Sequence, residues 1–516
     1  MSGQAVRNSA LLSAAALASR LLGWVRLIVL VAAFGADGRL DPYLAAFKVP
    51  DIIYQLIAAG PLSSVLVPLV VRLRSEGDEL RARRIMSSIF LIFGVLALVI
   101  AVAALLLAAG LAELLAPGIS AAQREEVAQL SRILAPSSLG LGIVAVASVW
   151  TAANERFFAS SIGPIVYNLS VILFTLFGAE RFGTVAAALG TVVGALLYGV
   201  IAIAAARIAG LRLARPAFKD PLLLGSLGAL VPRMSGLFVV QIVLTGLVAV
   251  ASTLGPGSIT AWTYALSLMQ LPLAMVAGSI GTAILPVAAR VLNVEGPTGL
   301  LRVTRSALGA AIWMLLPVAV IGAALATNPV GLVLGISPGS PVGLLLFSGL
   351  SLLLFSLPIQ GATSVATRLC YGAGDTRGPV GSSVVGSLLI ALCAAPFVAT
   401  FGFAGLAIAV LIGEGVECLL LLLRLRRHVG GHLLRELMRM LVTALATAAS
   451  GLALALALSA AVSALVASES LALRALIDAS AAGAGLLLYL LLSARLKTPG
   501  SDAPIAALRR AWGRLR

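Results

Sequence analysis

About fourteen apolar stretches, each long enough to cross a bilayer, fill this 516-residue chain almost end to end. They lie at about 9–34, 43–71, 85–111, 130–153, 159–179, 184–206, 224–251, 258–289, 306–327, 342–367, 380–400, 403–423, 440–466 and 472–494. A spanning helix needs roughly 20 apolar residues. The expected fold is therefore an all-α polytopic membrane protein with about 14 transmembrane helices. At 60% hydrophobic residues the chain exceeds the roughly 45–50% of a soluble domain. The longest polar segments, near 72–84, 207–221, 424–439 and after 495, are loop-sized.

A net charge of +16 would point to nucleic acid in a soluble protein. Here its placement excludes such a partner. One set of alternate connections carries Arg72, Arg74, Arg81, Arg83, Arg84, Arg156, Arg207, Arg212, Arg215, Lys219, Arg290, Arg302 and Arg305. The same side continues with Arg368, Arg377, Arg424, Arg426, Arg427, Arg435, Arg439 and the basic tail. The other side holds only Arg39, Arg124, Arg132, Arg181 and Arg474. This is the positive-inside pattern, and it places both termini in the cytoplasm. The first span reads as a retained helix and not a cleaved signal, because its apolar run is long and interrupted by Arg20. Cys370, Cys393 and Cys418 lie in or beside spans and read as small buried side chains without a disulfide framework.

The chain repeats. The segment 59–72 aligns without a gap to 277–290, both ending in a proline followed four residues later by arginine: Pro68 and Arg72, Pro286 and Arg290. Asn154-Glu155-Arg156 matches Asp375-Thr376-Arg377 at nearly the same offset. Six spans per copy gives two parallel six-helix repeats plus two C-terminal helices. The expected divisions are an N-terminal half over 1–215, a C-terminal half over 216–430, two extra helices over 431–496 and a basic cytoplasmic tail over 497–516. In parallel-repeat transporters the substrate path runs between the halves. Prolines at 50, 61, 68, 272 and 286 mark spans two and eight as bent helices, tolerated where backbone lines a cavity.

Charges inside spans are expensive and mark substrate or ion paths. Arg20 and Arg26 stand six residues apart in span one. Six residues of helix rise about 9 Å. A guanidinium forks onto two oxygens and suits a phosphate. The alternative is that one of them pairs with a structural acid, Asp41 or Asp51. Asp41 should lie at the outer edge of span two. Lys48 and Asp51, three residues apart, either neutralise each other or face a cavity. Glu414 and Glu417 share a face of span twelve and read either as an ion-coupling pair or as a carboxylate reaching the interface near Arg424.

Other motifs carry less. His428 and His432 have metal-compatible spacing but no third ligand, so no metal is expected. Gly372-Ala373-Gly374-Asp375 follows no strand and is not a phosphate loop. No nucleophile–base pair or nucleotide site is present, so neither enzyme chemistry nor a cofactor is expected. The segment 504–516 reads as a basic amphipathic helix on the inner leaflet or as a solvated tail.

As a set, several motifs resemble the MurJ (MviN) family of bacterial lipid II flippases. They are Ser19-Arg20-Leu21-Leu22-Gly23 with Arg26; Phe34-Gly35-Ala36; Asp41; Ala46-Phe47-Lys48 with Pro50; Gly60, Leu62, Ser63, Val67 and Pro68; Tyr264-Ala265 with Leu268-Met269 and Pro272; and Gly374-Asp375-Thr376-Arg377. The resemblance covers about residues 8–494. It implies a polyprenyl-diphosphate glycolipid as substrate, moved from the inner to the outer leaflet by alternating access. It also implies a bacterial inner-membrane location among membrane lipids, with a cell-wall synthase as a conceivable partner. Arg20 and Arg26 match family arginines that bind the diphosphate, and Asp41 matches an acid of the outer cavity. The chain departs from the family at Tyr54-Gln55, Ala59 and Leu266-Ser267, where cations or an acid are usual. Arg233 and Lys48 are then candidates to supply the missing positive charge. Two alternatives stand beside this reading: a cation-coupled exporter of drugs or other polyprenyl glycans from the same superfamily, and a non-transporting partner of a cell-wall synthase.

Overall fold

The computed structural model describes residues 3–57, 61–156, 158–429, 433–466, 470–498 and 500–502. Every regular element among them is a helix. In a bilayer a helix satisfies its own backbone, so long apolar runs take this form. The chain divides into two compact units, Met1–Thr260 and Ala261–Arg516.

The first unit holds α1 (Gly3–Phe34), α2 (Asp41–Ile57), α3 (Pro61–Ser75), α4 (Glu79–Leu106) and α5 (Ala108–Leu115). It continues with α6 (Ala121–Leu134), α7 (Ser137–Ala153), α8 (Phe158–Phe182), α9 (Thr184–Ile208) and α10 (Pro221–Ser252). Then follow α11 (Ser258–Leu325), α12 (Thr327–Leu334), α13 (Pro341–Leu354), α14 (Leu357–Gly372), α15 (Arg377–Phe401) and α16 (Ala404–Val429). The last two are α17 (Leu433–Val466) and α18 (Leu471–Arg495). The unit boundary falls inside the first turn of α11. Residue 215, where the first half is expected to end, lies in the connection between α9 and α10.

The repeat is visible element by element. Both α5 and α12 have eight residues and start 219 apart (327 − 108). The pair α6 and α7 is bent by 44°, and the pair α13 and α14 by 46°. At each bend a buried serine hydroxyl donates to a carbonyl three residues back: Ser137 to Leu134 at 2.6 Å and Ser356 to Leu353 at 2.7 Å. A broken helix frees carbonyls, and in a dry setting a local hydroxyl is the nearest donor. Gly183 (φ 57°, ψ −142°) starts α9, and Gly402 (φ 57°, ψ −138°) ends α15. They are 219 apart (402 − 183), and a side chain would strain either turn.

Nine helices among the described residues are long and apolar enough to cross a membrane, or up to eleven if each bent pair is one span. About fourteen stretches were expected; α1, over the stretch 9–34, is not among these helices, and two further differences have local causes. The stretches 258–289 and 306–327 lie in one 68-residue element, α11, interrupted only by non-helical Gly296. The stretch 43–71 is divided between two short helices, α2 and α3.

Polar contacts lock the ends. Asp220 caps α10 and is gripped by Arg81 of α4 through two bonds of 2.7 and 3.1 Å. The extended connection before it is held on α4 by Ser87 and Ser88, which accept from the Ala214 and Ala217 amides. In the second unit α18 docks through Tyr489, whose hydroxyl donates to the Trp313 carbonyl at 2.8 Å. Asp478 of α18 joins Asn328 of α12 and Ser459 of α17.

Candidate functional site

Among the described residues of the first unit, Arg26 is the arginine with two aromatic rings against it. Its guanidinium carbon lies 5.9 Å from the Phe47 ring centroid on α2 and 5.8 Å from that of Tyr167 on α8. Phe47 stacks on Tyr43 at 6.0 Å, and the Tyr43 hydroxyl bonds the Thr191 hydroxyl of α9 at 2.9 Å. Four helices therefore fix one arginine. Its Nε is buried without a hydrogen-bond partner.

Magnitudes decide what this arrangement leaves open. Two aromatic faces contribute about 1–2 kcal/mol each to a desolvated cation. Withdrawing a charge from water costs several kcal/mol even after relaxation. The rings hold the guanidinium without balancing it, and no ion pair to Arg26 or Arg20 occurs among the described residues. The alternative that one of these arginines pairs with Asp41 or Asp51 is not what the structure shows: both acids are engaged elsewhere.

Arg20 sits on the same continuous helix, about 9 Å along its axis from Arg26. It is exposed. The carbonyl of neighbouring Ser19 accepts from Asn168 of α8 at 3.4 Å, so α1 is anchored beside both arginines.

The other expected residues fall in several places. Lys48 and Asp51 pair at 3.5 Å and are largely buried, on the helix that carries Phe47. Mutual neutralisation is thus the arrangement observed. Asp41 is 1% exposed, and its carboxylate accepts from the Gly257 amide, the Thr260 amide and the Thr260 hydroxyl at 2.8, 2.9 and 2.6 Å. It caps the first turn of α11 from the start of α2. The side chain of Arg233 lies outside the described residues, as do Ala59, His432 and 503–516. Ser267 turns its hydroxyl onto the Thr263 carbonyl at 2.7 Å and offers no charge.

Glu414 and Glu417 belong to the second unit, half-buried on one face of α16. Glu417 packs over Gly386 of α15 and shares a hydrogen bond with Ser383. Neither makes an ion pair among the described residues. The first unit thus carries arginines on α1 and the second carboxyls on α16.

Sequence reasoning missed Tyr167 and Thr191. A tyrosine in an apolar span carries no sequence signal of its own. Only packing of α1 on α8 reveals that it faces an arginine.

A family model described as lipid II flippase MurJ matches residues 30–476. The probable lipid II flippase MurJ of Haemophilus influenzae is 28% identical over 287 residues, covering 53% of this chain and 56% of the relative. The chain thus spans a little over half the length of the curated relatives it matches. Among solved structures, a lipid II flippase MurJ in an inward closed conformation has a TM-score of 0.77 at 20% identity, over 94% of this chain and 98% of the other. An inward-facing multidrug resistance MATE transporter of the MOP superfamily has a TM-score of 0.68 at 18% identity, over 78% and 94%. At these identities the structural likeness is one of fold.

Proposed function

The chain belongs to the lipid II flippase MurJ family, and on that premise we propose that it carries a polyprenyl-diphosphate-linked peptidoglycan precursor, lipid II, from the inner to the outer leaflet. The observation that carries this reading is Arg26: a guanidinium clamped by two rings, with a buried Nε and no acid paired to it. A diphosphate supplies the absent counter-charge and matches the guanidinium fork. Arg20, exposed on the same helix, is the second contact. Lys48 adds a cation already half neutralised by Asp51. Asp41 acts as a positioning residue that holds the start of α11 against α2.

The proposed setting is the bacterial inner membrane with both termini cytoplasmic, in accord with the arginine-rich connections. No catalytic step is assigned; the work is binding and conformational exchange. Arg233 is retained as a further substrate contact on sequence grounds alone. The divisions 1–215, 216–430, 431–496 and 497–516 remain the proposed functional parts.

Glu414 and Glu417 are the proposed coupling pair, since a proton or cation held between them can reset an empty carrier. A charge moved across 100 mV is worth about 2.3 kcal/mol. Glu417→Gln should then remove the dependence of rate on an ion gradient while leaving substrate binding intact. The likeness to the MATE transporter keeps a cation-coupled exporter as the second reading. Complementation separates the two. Wild type should rescue a bacterium depleted of its own lipid II flippase, and a stably inserted Arg20→Ala protein should not. Rescue by both would remove Arg20 from the substrate path.

A further inference from the structure

The arginine-rich end of α16 lines an open cavity that the transport reading does not use. Arg424, Arg427 and His428 stand at spacings of three and four residues, on one helix face. With Ala373, Gly374 and Asp375 they line a cavity of about 410 Å³. That lies within the roughly 300–1,000 Å³ range of small-ligand pockets. Cations at a helix C-terminus are favoured by the helix dipole alone. The dipole does not explain why two of them and an imidazole line one concavity, opposite a turn whose Gly374 has φ +86° and open space where a side chain would stand.

Charge within the cavity is unbalanced. Asp375 is its single acid, and one of its oxygens is engaged by the Gly378 amide at 2.7 Å. Among the described residues neither Arg424 nor Arg427 makes an ion pair. A second cavity of about 410 Å³ lies in the first unit, lined by Phe90, Ile203, Arg207, Leu211, Arg212 and Leu213. Arg207 in the last turn of α9 and Arg427 in the last turn of α16 each line a cavity. The first-unit cavity has mostly apolar walls. The one at α16 also has some apolar wall, but Arg424, Arg427 and His428 all line it, and these side chains suit an anion.

We propose that the cavity formed by Arg424, Arg427, His428 and the Gly374-Asp375 turn binds a phosphate-bearing anion at the cytoplasmic face. Guanidinium forks and an imidazole recognise phosphate oxygens through charge-assisted bonds. The occupant is either a soluble phosphate compound or the phosphate headgroup of an inner-leaflet lipid. Only its cytoplasmic placement depends on the proposed topology; binding there does not depend on lipid II.

The test uses the full chain, without lipid II. In nanodiscs of phosphatidylcholine, calorimetry would measure binding of inorganic pyrophosphate. In a parallel arm, native mass spectrometry would measure retention of phosphatidylglycerol. The variant Arg424→Gln/Arg427→Gln should bind one of these probes at least about tenfold more weakly, the loss expected when charged hydrogen bonds are removed. Arg426→Gln, on the same helix turn but outside the lining, serves as the matched control and should bind as wild type. Asp375→Asn, which removes the opposing charge and keeps an acceptor for Gly378, should bind more tightly. Pyrophosphate loss identifies a soluble occupant, and phosphatidylglycerol loss identifies a headgroup. Equal binding by wild type and Arg424→Gln/Arg427→Gln in both arms, or a loss shared by Arg426→Gln, overturns the proposal.

Discussion

In the first unit α9 presses Gly194 against the backbone of Tyr167 on α8, where a side chain at 194 would stand 2.9 Å from the Tyr167 carbonyl. In the second, α16 presses Gly413 against Gly386 on α15, with 2.6 Å to the Gly386 carbonyl. The two crossings are 219 residues apart at both positions (413 − 194 and 386 − 167). Close backbone approach at small residues is how membrane helices pack without a hydrophobic drive. The scaffold is therefore the same, and the side chain at one position differs. Tyr167 walls in a cation, Arg26. Gly386 leaves room for a carboxyl, Glu417, whose Oε2 lies 3.3 Å from where a side chain would begin. A duplicated crossing thus holds a guanidinium in one copy and a carboxyl in the other.

Breaking the crossings should produce the largest effect. Gly194→Leu and Gly413→Leu each force a side chain into backbone, at about 1–3 kcal/mol or more for overpacking. Similar losses in detergent melting of the two variants would confirm that the crossings are equivalent. A loss confined to one would show that the repeat is matched in sequence only.

A feature without a counterpart in that comparison is Asp41, which ties α2 to the start of α11 through three donors. Asp41→Ala strands buried donors and should destabilise the protein by about 1–3 kcal/mol. Asp41→Asn keeps an acceptor and should lose less, by the same melting assay. If Asp41→Ala melted as wild type while transport failed, Asp41 would be a substrate contact and not a cap.

Tyr167 sharpens the contrast directly. Tyr167→Ala removes a cation–π face worth about 1 kcal/mol and should weaken substrate binding several-fold. Tyr167→Phe keeps the face and should bind as wild type. A loss in Tyr167→Phe equal to that in Tyr167→Ala would assign the role to the hydroxyl.

The smallest expected effect lies at the Arg81–Asp220 grip. The Arg81 hydrogen bond holds the Asp220 carboxyl below its ordinary value of 3.8. A depressed acid stabilises the fold above its unfolded value and loses that contribution as pH falls through the folded one. The protection of amides across 211–220, relative to their intrinsic exchange rates, should therefore fall only below about pH 4. Unchanged protection there would mean that Ser87 and Ser88 hold the connection alone.

Much of this was legible in the sequence. Apolar length pointed to the helical class, because lipid leaves the backbone little choice. The matched segments at 59–72 and 277–290 announced the repeat, and the bends and Gly183–Gly402 turns place it in three dimensions. Arg20 and Arg26 stood out because charge in lipid is costly. The breaks within α6–α7 and α13–α14 were not read from the sequence, because Pro136 and Pro358 beside them are tolerated in continuous membrane helices as well. Nor was the role of Asp41, whose partners lie more than 200 residues away, or the clamp on Arg26, which depends on which faces of α1, α2 and α8 meet.

The central claim is that Arg26 is held for a diphosphate. Its most direct test is lipid II translocation in proteoliposomes of purified protein, wild type against Arg26→Ala and Arg26→Lys. Loss of two charged hydrogen bonds predicts roughly a hundredfold slower translocation for Arg26→Ala, with partial activity in Arg26→Lys because an ammonium lacks the fork. Translocation by a folded Arg26→Ala protein at the wild-type rate would contradict the account.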